Sequence, residues 1–251
     1  MPCGYRPSVT FVLTVVQNAP DVPLDRLEGW LQDATIRLVR PDLGEALPAV
    51  DELGDGLVVL GGHHNAYDDE LAPWLPALRT LLADASATGV PTLGICLGAQ
   101  LLAVARGGKV AVAAPPGTEA GVVPIFWRHE AVSDAVVGPL VAGLTDRRVT
   151  PQPTLHSDAV VDLPRGAAWL ASSNQYPYQA FRIGSAWGVQ FHPEASTTTL
   201  RDWATWDGGV DTDAILAEYA EREAELVEIG ETLVGGFVDH VRRTAAEKVT
   251  A

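Results

Sequence analysis

Cys96 lies in the segment GICLG, with one glycine two residues before it and another two residues after it. An apolar run, residues 90–95, precedes the cysteine, and a helical pattern begins at about Leu97. Flanking glycines permit the sharp strand-to-helix turn that exposes a nucleophile. The helix N-terminus would stabilise a thiolate, because its dipole and its unpaired N–H groups favour negative charge. The segment predicts a nucleophilic cysteine, although a structural cysteine in tight packing also fits these residues alone.

A histidine and a glutamate in the segment GVQFHPE could activate such a thiol. A thiol nucleophile usually needs a base and a group that orients the base. Pro193 ends a strand directly after His192, so the imidazole is expected at the carboxyl edge of a sheet, where Cys96 is also expected. Glu194 is two residues further on, and its carboxylate can accept the N–H of His192. A histidine and a glutamate that simply face solvent at a strand end are the other interpretation.

The elements that must position these residues alternate between strands and helices over the first 105 residues. Fully apolar strands separated by helices are typical of the parallel sheet of an α/β protein, which helices cover on both faces. Ligands bind beyond the carboxyl ends of the strands in such sheets, where both the Gly61–Gly62 pair and Cys96 fall. Strands are predicted at 9–17, 36–40, 56–62 and 90–95, and helices at 23–34, at 72–89 and from about 97.

The pattern changes from about residue 108 to shorter strands and more turns, and two helices follow. Residues 179–183 and 186–191 read as a hairpin joined by Gly-Ser. No internal repeat or clear linker is present, which predicts one domain over 1–251 with a helical extension at about 196–245. The other strands are predicted at 108–114, 120–127 and 167–173, and the helices at 196–206 and 213–242, the second with a candidate break at Gly230.

Composition narrows the class of protein. Of 251 residues, 47% are hydrophobic and 20% are charged, as in an ordinary globular protein. The net charge of −15 argues against nucleic-acid and membrane-surface partners, because phosphates would be repelled. The only cysteines are Cys3 and Cys96, so no disulfide framework is expected. The sequence shows neither an apolar run of ~18 residues nor a signal-peptide pattern, so we expect a cytoplasmic protein.

Together, GICLGAQLLA, the later QFHPE and the upstream VLGG resemble the class I glutamine amidotransferase family. The resemblance runs over most of the chain, and its closest likeness is to the free-standing group that resembles the amidotransferase domain of GMP synthetase. That group shows GG…YDD…PWL, H-x-D and ASS…QAF…G.QFHPE stretches. Here they read GGHHNAYDDELAPWL, LHSD and ASSNQYPYQAFRIGSAWGVQFHPE. The resemblance implies a flavodoxin-like, doubly wound α/β fold, with a mostly parallel sheet and helices on both faces. It also implies a Cys-His-Glu triad, with no cofactor.

The resemblance also assigns chemical roles to the triad. Cys96 would attack the side-chain amide carbonyl of glutamine, giving a γ-glutamyl thioester and ammonia. His192 would give a proton to the departing amine and then activate water, and Glu194 would orient His192. The backbone N–H groups of Gly62 and Leu97 would hold the oxyanion, which fits a glycine at a strand end and the residue that opens a helix.

Further positions are matched to substrate binding. Gln100, one turn after Cys96, matches a family position that helps to bind glutamine. The backbone around Leu155, His156 and Ser157 matches a loop that lines the substrate. Asp158, in the same LHSD segment, could shape the pocket mouth together with His156 or belong to a surface turn.

The chain departs from the family pattern after the glycine pair. The family usually has proline there, whereas this chain has His63 and His64, so the oxyanion loop is expected to differ. Adjacent histidines rarely converge on one ion, and no metal is expected. The related DJ-1/PfpI type also places a cysteine at an elbow, but its histidine follows directly where this chain has Leu97. That interpretation is rejected.

Three functions stay open on the sequence. The favoured one is a stand-alone enzyme that cleaves γ-glutamyl amide bonds, with glutamine or a γ-glutamyl peptide or amine as its small-molecule substrate. The second is a glutaminase subunit that delivers ammonia to a separate synthetase chain. The third is an inactive binding module. No SGGxDS loop is present, so the chain is not expected to make GMP alone. A homodimer is compatible with each.

Overall fold

The computed structural model describes residues 11–144, 147–206 and 209–250, without the side chains of 249 and 250. Cys3 lies outside the described residues. The first part of the chain alternates strands and helices, as the sequence predicts. Its elements are β1 (Phe11–Val16), α1 (Leu27–Trp30), β2 (Ala34–Val39), β3 (Gly56–Val59), α2 (Leu75–Thr88), β4 (Thr92–Ile95) and α3 (Leu97–Ala105).

The second part is richer in strands and ends in two helices. Its strands are β5 (Lys109–Ala111), β6 (Glu119–Trp127), β7 (Val149–His156), β8 (Ala159–Asp162), β9 (Ala168–Ser172), β10 (Ala180–Ile183) and β11 (Ala186–Val189). Its helices are α4 (Gly138–Ala142), α5 (Thr197–Ala204) and α6 (Thr212–Thr250).

Nine strands form the central sheet, in the order β2-β1-β3-β4-β11-β10-β9-β6-β7. The strands from β2 to β11 in this order are parallel, and the remainder of the sheet is antiparallel. Strand β11 pairs with β4 in parallel, with Val189 opposite Ile95. The segments that follow these two strands therefore leave the sheet at the same edge, which brings Cys96 and His192 to one place.

Apolar side chains cover both faces of the sheet. One core cluster joins β1, α1 and α6, and it contains Leu13, Leu27 and Phe237. A second cluster joins α2 and α3 to the opposite face, through residues such as Leu78 and Leu101. Helices on both faces confirm the doubly wound α/β fold. Because α6 shares a core with β1, the contacts favour the single domain, which stays a prediction.

The helix predicted at 23–34 is wrong in extent, since only Leu27–Trp30 is helical. Asp25 interrupts it with a φ of 48°, outside the helical region. The carboxylate of Asp25 accepts the backbone N–H of Ser196 at 2.6 Å. The local sequence is compatible with a helix, but this contact with a segment 171 residues away holds the chain in another conformation.

Two strands are absent from the predictions, β7 and β8. Strand β7 contains Pro151 and Pro153, which argue against a central strand, but it lies at the edge of the sheet, where proline is tolerated. The strand predicted at 108–114 is shorter, and as β5 it pairs with β8 in a separate two-stranded sheet.

Helix α6 runs unbroken through Gly230. A Cβ at Gly230 would lie 2.7 Å from the backbone oxygen of Pro193 and 2.7 Å from the ring of Trp30. This glycine therefore permits close packing rather than a break. None of the helices in the described ranges is both long and apolar enough to cross a membrane.

Two adjacent glycines in α6 give a test of this packing. A Cβ at Gly236 would lie 2.1 Å from the backbone oxygen of Val136, whereas one at Gly235 would meet nothing within 4 Å. We expect Gly236→Ala to lower the free energy of unfolding by about 1–3 kcal/mol through overpacking. Gly235→Ala should raise it by about 0.5–1 kcal/mol, because alanine is the better helix former. Urea denaturation of both variants measures the difference, and equal effects would contradict the packing.

Candidate active site

A strained turn presents the thiol of Cys96. Its backbone has a φ of 51° and a ψ of −107°, which is unusual for a residue other than glycine. The N–H of Cys96 donates to the carbonyl of Val189 at 2.8 Å, and its carbonyl accepts the N–H of Gln100 at 3.0 Å. Strand pairing on one side and α3 on the other hold the turn. Such strain costs roughly 1–3 kcal/mol and is typical of functional sites.

The two flanking glycines are required by close backbone approach. A Cβ on Gly94 would lie 2.6 Å from the carbonyl group of Gly98. A Cβ on Gly98 would lie 2.1 Å from the carbonyl oxygen of Val59 in β3. The glycines thus let α3 start directly against the sheet, and the prediction of a tight strand-to-helix turn is confirmed.

His192 and Glu194 form a buried pair beside the thiol. The Nδ1–H of His192 donates to Oε1 of Glu194 at 2.7 Å. The backbone N–H of His192 donates to the carbonyl of Pro153 in β7, which anchors the segment to the edge strand. Glu194 is fully buried, and its Oε2 has no hydrogen-bond partner among the described residues. The negative charge of this carboxylate therefore acts mainly on His192, and the solvent-facing interpretation is wrong.

The pKa of His192 is raised from 6.5 to about 10. Burial of the ring lowers the pKa, but the electrostatic effects of Glu194 and then of Cys96 outweigh burial, with hydrogen bonds to both groups acting in the same direction. The ring therefore carries a proton at neutral pH. It can give this proton to a leaving group in contact with it.

The glycine pair that follows β3 leaves space for the side chains of His192 and Leu97. A Cβ on Gly61 would lie 3.1 Å from Cε1 of His192, and one on Gly62 would lie 2.9 Å from a methyl group of Leu97. Gly62 and Leu97 both line the pocket around Cys96. The N–H of Leu97 is at the first position of α3, where a helix leaves N–H groups without an intrahelical partner.

Gln190 is a site residue that the sequence predictions missed. Its Nε2 donates to Sγ of Cys96 at 3.5 Å, and its Oε1 accepts Nε2 of Gln100 at 3.2 Å. Gln100 Nε2 also donates to the carbonyl of Asp158 at 3.0 Å. Because the amide oxygen of Gln190 accepts from this same Nε2, its amide nitrogen faces the sulfur. Because side chains alternate along an extended chain, the position two residues before His192 was the available signal.

Leu155, His156 and Ser157 line the same pocket. The prediction of a loop here is corrected, since Leu155 and His156 belong to β7. Both ring nitrogens of His156 are engaged, Nδ1 with the carbonyl of Asp158 at 2.9 Å and Nε2 with Glu119 at 3.2 Å. Edge-strand pairing and these contacts fix the ring. Asp158 also lines the pocket, so the surface-turn interpretation of this segment is wrong.

The pocket has a volume of about 370 Å³, within the usual range for small-molecule sites. Eight of the nine site residues predicted from the sequence line this pocket. The ninth, Glu194, lies behind His192. The further lining residues are Val22, His63, His64, Thr118, Asp158, Trp203 and Trp206.

The two histidines after the glycine pair make different contacts. His63 Nε2 lies 2.7 Å from Oδ1 of Asp21, whereas His64 packs edge-on against Trp74. Within the described residues, no group of three or more His, Cys, Asp or Glu side chains could hold a metal ion.

A protein-family model matches the part of the chain that contains this site. The family "Glutamine amidotransferase class-I" matches residues 33–204, which include the Cys96 turn and the His192–Glu194 pair. The chain belongs to this family. The predicted family and enzyme class are confirmed.

Curated relatives of this amidotransferase include two proteins named GMP synthase [glutamine-hydrolyzing]. The one from Streptococcus uberis is 27% identical over 68% of this chain and 32% of the relative. The one from Thermomicrobium roseum is 37% identical over 58% of this chain and 24% of the relative. The matched region thus spans about a quarter to a third of the length of these relatives.

Solved structures of glutamine amidotransferases share the fold. The protein from Thermotoga maritima has a TM-score of 0.78 at 25% identity, over 90% of this chain and 97% of the other. The one from Methylobacillus flagellatus has a TM-score of 0.79 at 25% identity, over 92% and 95%.

The raised pKa of His192 gives a direct test of the buried pair. NMR titration of the ring should give a midpoint near 10 in the wild-type amidotransferase. Glu194→Gln removes a negative charge and should move the midpoint towards 6.5. Because the folded-state pKa is raised, the stabilisation from this pair is complete below pH 6.5 and is lost as the pH rises through about 10.

His240 serves as the internal control in that titration. Burial and then the nearby Arg243 lower its pKa, and it packs on Trp187 away from the pocket. Its midpoint should stay unchanged in Glu194→Gln. An unchanged His192 midpoint in the variant would refute the ion pair.

The contact from Gln190 to the sulfur predicts an effect on thiol reactivity. Gln190→Met keeps the length of the side chain but removes the N–H donor, so the sulfur of Cys96 loses a hydrogen bond. We expect alkylation of Cys96 by iodoacetamide at neutral pH to speed up by about threefold, because a sulfur that accepts no hydrogen bond is the stronger nucleophile. Gln32→Met, which changes an exposed glutamine that does not line the pocket, is the control. Equal alkylation rates in the wild type and both variants would contradict the contact.

Proposed function

We propose that this amidotransferase hydrolyses the γ-amide bond of glutamine, or of a γ-glutamyl peptide or amine, through a γ-glutamyl thioester on Cys96. The observation that carries the proposal is the placement of the Cys96 thiol and the protonated His192 in one pocket, with Glu194 buried behind the imidazole. Family membership supports the same chemistry. An inactive binding module would have no need of a strained cysteine or of a fully buried carboxylate.

In the first half of the reaction, the thiolate of Cys96 forms a bond to the amide carbon, and the carbonyl electron pair moves to oxygen. The N–H groups of Gly62 and Leu97 stabilise that oxyanion; one such donor is typically worth ~10²–10³ in rate. When the oxyanion collapses, the C–N bond breaks. His192 gives its proton to the departing nitrogen, which leaves as ammonia or as a free amine.

In the second half, the neutral imidazole of His192 takes a proton from water, and the hydroxide formed attacks the thioester carbon. Collapse of the second oxyanion breaks the C–S bond, releases glutamate and restores the thiolate beside protonated His192. Glu194 accepts the Nδ1–H throughout and keeps Nε2 directed at the reacting atoms.

The glutamyl part is proposed to lie against the half of the pocket that Gln100 and the end of β7 form. Leu155, His156 and Ser157 supply that wall. The hydrogen bonds of Gln100 and His156 hold both side chains in place before substrate arrives, which reduces the entropy cost of binding.

A second candidate function is that of a glutaminase subunit supplying ammonia to a separate synthetase chain. Two facts about the curated relatives favour it. They are named GMP synthase [glutamine-hydrolyzing], and the region matched by this chain is only 24–32% of their length. In that case the amine acceptor would be bound by the partner. We expect either activity in a reducing cytoplasm, since the nucleophile must be a free thiol, and either allows a homodimer.

The test is release of ammonia and glutamate from glutamine and from γ-glutamyl peptides, with Cys96→Ala beside the wild type. Loss of the nucleophile should reduce the rate by about 10³ or more. Cys3→Ala, the matched cysteine control, should retain activity. Mass spectrometry of acid-quenched wild-type protein should find a γ-glutamyl adduct on Cys96.

Outcomes separate the candidates. Full activity in Cys96→Ala, or an adduct on Cys3, would refute the mechanism. Turnover of glutamine by the isolated chain supports the stand-alone enzyme. Correctly folded protein that forms the adduct slowly, and faster when a synthetase chain is added, supports the subunit.

A further inference from the structure

The pocket has a further group of lining residues, separate from those proposed to hold the glutamyl part. The group consists of His63, Trp203 and Trp206, none of which is among the predicted substrate-binding residues. His192 marks which half of the substrate lies there, because its ring delivers the proton to the departing nitrogen. Trp203 packs against that ring, with the two ring centroids 4.4 Å apart.

These aromatic side chains form a connected wall. Trp203 is 2% exposed, and its indole N–H donates to the backbone carbonyl of Asp21 at 2.8 Å. The carboxylate of Asp21 is 2.7 Å from Nε2 of His63, which fixes the imidazole. Trp206 contacts His63 edge to face, with ring centroids 4.0 Å apart, and lies 6.0 Å from Trp203.

Trp206 keeps 43% of its surface exposed at the pocket mouth. Release of ammonia needs no aromatic wall, since ammonia is small and strongly hydrated. An exposed indole beside an imidazole held by Asp21 instead offers faces and edges that suit another flat apolar group. Such an occupant would cover the exposed part of Trp206 and gain the free energy of its burial.

We infer that His63, Trp203 and Trp206 form a subsite for the amine portion of a γ-glutamyl amide that carries an aromatic group. The inference rests on the proposed function, because it takes the nitrogen next to His192 as the leaving group. It narrows the substrate class from any γ-glutamyl amide to those with a flat apolar amine side. It also gives His63, which replaces the proline expected after the glycine pair, a role in specificity.

The test compares kcat/KM for γ-glutamyl-benzylamide and γ-glutamyl-methylamide, whose reacting groups are alike. The wild type should prefer the benzylamide by about tenfold. Trp206→Ala should bring the ratio close to one, and Trp206→Phe should restore most of it. Tyr67→Ala is the control, since Tyr67 is 45% exposed and is not among the pocket residues, and it should keep the wild-type ratio.

Two results would overturn the inference. One is a wild type with equal kcat/KM for both amides, and the other is an equal loss of kcat/KM for both in Trp206→Ala. Cys96-dependent turnover of glutamine in the same experiment would leave the proposed function standing. The subsite and the reaction therefore fail separately.

If the wild type turns over no substrate, binding to Cys96→Ala still decides the matter. Calorimetry should then show tighter binding of the benzylamide than of the methylamide, with the difference lost in the Cys96→Ala, Trp206→Ala double variant. Absence of that difference overturns the subsite. The substitution Trp206→Ala could instead reduce only the stimulation of turnover by an added synthetase chain. In that case the wall is a contact surface for a protein and the inference is wrong.

Discussion

The parallel pairing of β4 with β11 is the constraint on which the site depends. It places Val189 opposite Ile95, so two segments separated by more than 90 residues leave the sheet side by side. The hydrogen bond from the N–H of Cys96 to the carbonyl of Val189 continues that pairing by one residue. A one-residue slip would send one of the two side chains to the other face of the sheet. The register of β4 against β11 therefore determines that Cys96 and His192 lie in the same pocket.

The site also requires close approach of backbone segments, and glycine permits this approach at three positions. Gly98 lets α3 rest on the carbonyl of Val59, Gly61 leaves space for the ring of His192, and Gly230 lets α6 reach Pro193. Each is a place where a Cβ would meet backbone or a packed ring. Because these glycines lack a side chain, the turn at Cys96, the His192–Glu194 pair and helix α6 can pack closely together.

Local patterns in the sequence sufficed for the parallel half of the sheet, since apolar runs and helical periodicity are local properties. They also singled out Cys96, His192 and Glu194 as candidates, which the structure brings together, but the chemical role of each was predicted from the family resemblance. They failed where distant contacts decide, as at Asp25, which Ser196 holds out of a helix, and at β7, whose prolines are tolerated only at a sheet edge. Gln190 was missed because its partner, the sulfur, is distant in sequence.

The contact between Gly230 and Pro193 has a consequence for biosynthesis. Tyr219 of the same helix donates to the carbonyl of Ala195, so α6 touches the segment around the His–Glu pair at two points. A ribosome exposes Cys96 long before it exposes these residues. During translation, Cys96 is therefore exposed before the helix that contacts the segment of His192 and Glu194 has been made. The contacts of α6 with this segment form only after residue 230 has been synthesised.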